Sequence, residues 1–64
     1  MKTINAFDAC ASYGFRYAIV ITKNGMESVH GLYSSKRATR RIANRLADEY
    51  GNTATVEVAQ LVRE

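Results

Sequence analysis

This 64-residue sequence contains one cysteine, one histidine and no tryptophan. A single cysteine, Cys10, cannot form an intrachain disulfide, and this fits a reducing compartment better than a secreted setting. We therefore expect a cytoplasmic protein. His30 has only Cys10 as another soft ligand, whereas metal sites need three or four ligands. We expect neither a metal nor a cofactor.

The chain also lacks long apolar runs and recognisable catalytic motifs. No run approaches the roughly 18 residues of a membrane span, so we expect no membrane partner. The first residues mix Lys2 with Asn5 and Asp8, which is unlike a signal peptide. There is no nucleophile elbow and no glycine-rich phosphate loop. The sequence therefore favours a binding protein and not an enzyme.

The composition indicates one small folded domain covering residues 1–64. Apolar residues make up 47% of the chain and charged residues only 23%, which argues against disorder. A chain of this length buries only about 60% of the surface that its unfolded form exposes. A single small core must therefore hold the fold together.

The stretch of residues 16–25 contains the longest apolar run and ends in Asn24-Gly25, the strongest short signal for a type I′ hairpin turn. We expect strands over residues 15–23 and 26–33. A regular two-residue hairpin pairs Ile19 with His30 and Tyr17 with Leu32. It leaves an apolar second hairpin face, made of Ala18, Val20, Val29 and Tyr33.

After the hairpin, the pattern changes to a helical period. Ser34 or Ser35 can cap a helix over residues 35–50, and Gly51 can end it. A further strand is expected over residues 53–62, and residues 1–14 suggest a short helix or turn. The apolar stripe of the main helix comprises Thr39, Ala38, Ile42, Ala43, Leu46 and Tyr50.

These elements predict an α+β fold with one amphipathic helix packed across a three-stranded sheet. Because a right-handed crossover returns the last strand beside the first, the expected strand order is 2-1-3. The first strand of the hairpin is then central, which matches its apolar character on both faces.

The net charge is +3, and five of the nine Lys and Arg residues lie in the main helix. Four of them, which we call the helix cations, have no acidic residue three or four positions away. They are Lys36, Arg37, Arg40 and Arg41. Arg45 differs because its spacing allows a pair with Asp48 or Glu49. The helix dipole favours acids in the first turn, so stability alone would not select cations there.

Two partner classes fit this surface. The first is nucleic acid, with the helix cations on phosphates. The second is an acidic protein surface, with the same cations at the rim and Tyr33 or Tyr50 as anchors. The second hairpin face could support a homodimer, or Ile4 and Phe7 of the N-terminal segment could cover it.

The hairpin that runs into Gly31-Leu32-Tyr33-Ser34, followed by an alanine-rich helix, resembles the arm-type DNA-binding domains of phage integrases and their plant Apetala-type relatives. The resemblance covers roughly residues 16–51 and implies binding in the major groove by a sheet that one helix backs. That family has three strands before the helix and carries its contacts on the sheet. In size and element order the chain is also similar to short phage proteins that inhibit host RNA polymerase or CRISPR complexes.

Overall fold

The computed structural model describes residues 2–5 and 14–62. In this part of the chain, one helix packs against one face of a four-stranded sheet, which gives an α+β fold. The elements in chain order are β1 (Lys2–Asn5), β2 (Tyr17–Lys23), β3 (Met26–Tyr33), α1 (Lys36–Tyr50) and β4 (Thr55–Val62). The strand order across the sheet is β1-β4-β2-β3.

Strand β1 corrects the expectation of three strands. Lys2–Asn5 is extended and runs parallel to β4, from the pair Lys2–Ala59 to the pair Asn5–Val62. A short helix is barely stable alone, whereas the outer edge of β4 offers backbone partners for an extended segment. The rest of the predicted N-terminal helix or turn, residues 6–13, lies outside the described residues. The order of the other three strands, with β2 between β3 and β4, is confirmed.

The hairpin turn has the predicted conformation. Asn24 and Gly25 both have positive φ, 55° and 78°, as a type I′ turn requires. The pairs nearest the turn, Lys23–Met26 and Ile21–Ser28, follow from this geometry. The turn therefore sets the register of the first half of the hairpin.

A β-bulge changes the pairing in the second half of the hairpin. Val20 pairs with Val29, but Ile19 pairs with Gly31, so His30 is an extra residue in β3. One inserted residue reverses the faces of all residues that follow it. The predicted pairs of Ile19 with His30 and of Tyr17 with Leu32 were therefore wrong.

The bulge exchanges the faces on which Tyr33 and Leu32 lie. Tyr17 pairs with Tyr33, and Ala18 pairs with Leu32. Tyr33 thus joins the helix side of the sheet, where it packs against the core. Leu32 takes its place on the face that Ala18 and Val20 share.

The main core lies between α1 and the sheet. Its buried members are Ile19, Ile21, Ala43 and Leu46. Ile42 packs at the border of this cluster and is half-buried, whereas Ile19 and Leu46 are buried. The half-buried residues around this cluster are Tyr33, Ile42, Tyr50, Ala54, Val56 and Val58.

The predicted apolar stripe of the helix is correct except at its beginning. Ala38 is exposed, whereas Thr39 is fully buried. The Thr39 hydroxyl donates to the Ser35 carbonyl oxygen at 2.6 Å, which satisfies it within the helix. The buried face therefore starts at Thr39, and Ala38 belongs to the solvent side.

The opposite face of the sheet is also buried at its centre. Ala18 and Ala59 are 0% exposed and Val20 is 2% exposed. Ile4 pairs with Leu61, two residues along β4 from Ala59, so it lies on this face, in the edge strand β1. Cover of the hairpin by Ile4 stays a prediction. Phe7, the other residue predicted to cover the second hairpin face, lies outside the described residues.

An ion pair joins the two edge strands. Lys2 of β1 donates to the carboxylate of Glu27 in β3, although β4 and β2 lie between these strands in the sheet. The hydrogen bond and the negative charge of Glu27 raise the pKa of Lys2. The sheet must curl for these edges to come within reach.

Candidate nucleic-acid interface

The ends of α1 are fixed by short polar contacts. Ser35 is the N-cap: its backbone is extended, and its hydroxyl accepts from the Ala38 N–H at 3.3 Å. Gly51, at φ 58°, ends the helix, and its N–H donates to the Ala47 carbonyl oxygen at 2.9 Å. The 15-residue helix is about 22 Å long and presents one side to the sheet.

The helix cations lie together on the solvent side of α1. All four are exposed, while Thr39, Ala43 and Leu46 face the sheet. They line one shallow groove, whose residues are Lys36, Arg37, Arg40, Arg41 and Asn44. The structure thus brings together every cation that the sequence pointed to.

The helix cations have no acidic partner. Within residues 2–5 and 14–62, the only ion pair is that between Lys2 and Glu27. The first turn of α1 contains no acidic residue and the last turn no basic residue. Each cation in the first turn costs about 0.3–1 kcal/mol of helix stability against the dipole. The same arrangement attracts an external anion, because the cations and the positive helix end act in the same direction.

Arg45 does not form the pair that its spacing allows. Its side chain is exposed, and among the described residues neither Asp48 nor Glu49 lies within salt-bridge distance of it. An exposed pair of this kind gains only about 0.3–0.5 kcal/mol and must order two long side chains. Arg45 therefore continues the row of Arg37 and Arg41 along the helix.

Asn44 is the residue that the sequence reasoning left out of the site. It lies one helical turn after Arg40 and lines the same groove as the helix cations. It also lines a second groove, between α1 and β4, which Arg40 shares and which Ala47 and Val56 help to form. Its spacing from Arg40 and Arg41 was visible in the sequence and could have identified it.

The two tyrosines proposed as anchors lie against the core. Tyr33 and Tyr50 are both half-buried and pack on the cluster beneath α1. Tyr50 is also the last residue of α1, about 13 Å along the axis from Arg41. Neither ring stands free beside the helix cations, and a role as partner anchors stays a prediction.

The second hairpin face is largely buried within the chain. Ala18 and Val20 are almost inaccessible, and Tyr33 lies on the other side of the sheet because of the bulge. Val29, at 41%, is its exposed member. A homodimer through this face stays a prediction, with less apolar surface available than the sequence suggested.

Among residues 2–5 and 14–62, no three His, Cys, Asp or Glu side chains are close enough together to bind a metal ion. No helix in these ranges has the length and apolar character needed to cross a membrane. Comparisons of the chain with protein family models, curated proteins and solved structures found no match.

Proposed function

We propose that this chain is a small non-catalytic module that binds nucleic acid through the first half of α1. The supporting observation is that the helix cations are exposed, share one groove and lack acidic partners among the described residues. Lysine and arginine contacts to phosphates supply most of the sequence-independent affinity for nucleic acids. The helix cations fill that role here.

The density of positive charge suits a nucleic acid backbone. From Lys36 to Arg41 the helix rises about 7.5 Å. A DNA duplex carries one negative charge per roughly 1.7 Å of its axis, which gives about four charges over the same length. The helix cations therefore match the number of phosphates that one short stretch of duplex presents.

The competing hypothesis is an inhibitor or adaptor that docks on an acidic protein surface. Tight protein interfaces depend on a few aromatic or arginine side chains that fill pockets on the partner. Tyr33 and Tyr50 already pack against the core of this chain, which limits the ring area they can offer. This observation favours nucleic acid over a protein partner.

The test compares two variants that remove the same charge from different places. Arg37→Gln with Arg41→Gln removes two helix cations. Arg16→Gln with Lys23→Gln removes two exposed charges outside α1 and serves as the control. Fluorescence anisotropy with a labelled generic duplex at low salt should show a much larger loss of affinity for the first pair.

Equal losses in the two variants would mean that net charge and not the helix face determines binding. If the wild-type protein binds no nucleic acid at low salt but forms a nuclease-resistant complex with an acidic protein, the proposed function is wrong. Circular dichroism checks that both variants remain folded, as expected for exposed glutamines.

A further inference from the structure

The direction of Asn44 on α1 carries an inference that rests on the nucleic-acid binding proposed above. Successive helical residues are rotated by about 100°. With Thr39, Ala43 and Leu46 toward the sheet, Asn44 points outward, within about 60° of Arg37, Arg40 and Arg41 around the axis. It thus lies next to three of the helix cations on the solvent side of the helix, and Asp48 follows it one helical turn later.

Asn44 has no structural partner among residues 2–5 and 14–62. It is exposed, and its amide makes no hydrogen bond to another described residue. It lies well inside the helix and so caps neither end. Asparagine also forms helix less readily than alanine, lysine or arginine. Stability therefore gives no reason for an amide at this position.

The width of an α-helix matches the major groove of DNA. An α-helix with its side chains is about 10–12 Å wide, and the major groove of B-DNA is about 12 Å wide. The corresponding groove of duplex RNA is deep and too narrow for side chains to read. A protruding helix face with flanking cations is therefore suited to duplex DNA.

The acidic end of α1 limits how the helix can enter. Asp48 and Glu49 are exposed in its last turns, where phosphates would repel them. The part of the helix before Asp48 must then lie deepest, with the helix cations toward the backbone on either side. In this orientation, Asn44 and Arg45 are the last exposed polar side chains before the acidic end, and Asn44 is the uncharged one of the two.

We propose that Asn44 is a specificity-determining residue that reads a base in the major groove of duplex DNA. The carboxamide has a donor and an acceptor side by side, and adenine presents the complementary N6 amino group and N7 in that groove. The helix cations position the helix on the phosphates, and Asn44 distinguishes adenine from the other bases. Phosphate contacts alone would give affinity without this preference.

The experiment is a selection from synthetic DNA duplexes with a randomised central segment, at one fixed salt concentration. The wild-type protein should enrich sites with adenine at one position, preferred about 5- to 150-fold over other bases. Asn44→Ala should lose the preference for adenine at that one position, because the alanine side chain has neither the donor nor the acceptor of the carboxamide. Gln60→Ala removes an exposed amide outside both grooves and should select the same sites as the wild type.

Three results would overturn the inference. Salt-dependent binding to random duplex without an enriched site would reject base reading by Asn44 and leave the proposed function intact. Binding to RNA or single strands in place of duplex DNA would also reject base reading by Asn44 and leave the proposed function intact. If the protein binds no nucleic acid of any kind, both the inference and the proposed function are wrong.

Discussion

The ring of Tyr33 occupies the space that a side chain on Gly31 would need. A Cβ atom built on Gly31 would lie 2.6 Å from the Tyr33 hydroxyl oxygen and 2.9 Å from Cζ. Both residues are on the helix side of β3 because the bulge at His30 shifts the register there. The glycine thus allows the tyrosine to fold over its own strand and cover the core.

Gly31→Ala should destabilise the protein by about 1–3 kcal/mol, since the added methyl group overpacks a ring that is held against the core. Urea denaturation measures the change in unfolding free energy. In a Tyr33→Leu background the same substitution should cost clearly less, because the clashing atoms are gone. Equal costs in the two backgrounds would show that the contact between these residues is not what excludes a side chain at position 31.

Leu46→Ala should cost about 2–5 kcal/mol, as Leu46 is a central member of the core between α1 and the sheet. In a domain this small, the loss is large enough to leave much of the chain unfolded. The control is Arg45→Ala, one residue earlier and exposed, which should change stability by about 0.5 kcal/mol or less. A melting temperature insensitive to Leu46→Ala would mean that α1 packs through another face.

Gly25→Val should destabilise the hairpin, because a β-branched residue would have to adopt the positive φ of 78° found there. A left-handed conformation costs an ordinary residue about 1–2 kcal/mol. Met26→Val, at the neighbouring exposed strand position, requires no such conformation and should be nearly neutral. Thermal denaturation of the two variants tests the turn. Similar melting temperatures would contradict the type I′ geometry.

Lys2→Gln should lower stability slightly by removing the ion pair between the edge strands. The folded-state pKa of Lys2 is raised above its ordinary value of 10.5, so this contribution is fully present below that pH. It is lost as the pH rises through the folded-state pKa. Urea denaturation of both proteins should give a constant difference between pH 7 and 9 that shrinks above pH 10.5. A difference that grows with pH would refute the pairing with Glu27.

Local signals in the sequence account for most of the fold. Asn24-Gly25 determined the turn, Ser35 and Gly51 the ends of the helix, and the double-sided apolar character of β2 its central position. These features depend on neighbouring residues and on elementary packing, so they could be predicted.

The two features of the fold that were predicted wrongly, strand β1 and the bulge, depend on tertiary contacts and not on local signals. The strand Lys2–Asn5 exists because β4, nearly 60 residues later, provides a backbone edge for it. The bulge at His30 places Gly31 and Tyr33 on the helix side of the sheet, where the tyrosine packs against residues distant in sequence. Neither effect leaves a local pattern, and tertiary pairing outweighs weak local propensity.

The candidate site was predictable to the extent that it depends on helical spacing. The helix cations could be grouped from their positions alone, and the structure places them in one groove. The suggested pairing of Arg45 failed because exposed ion pairs are too weak to be inferred from spacing. Asn44 was overlooked because an uncharged residue gives no electrostatic signal.

The salt dependence of duplex binding tests the central claim most directly. If all four helix cations contact phosphates, a plot of log K against log salt concentration should have a slope of about −3.6. Replacing Arg37, Arg40 and Arg41 together with glutamine should reduce its magnitude by about 2.7 while the protein stays folded. An unchanged slope in this triple variant, or no binding by the wild type at low salt, would contradict nucleic-acid binding through α1.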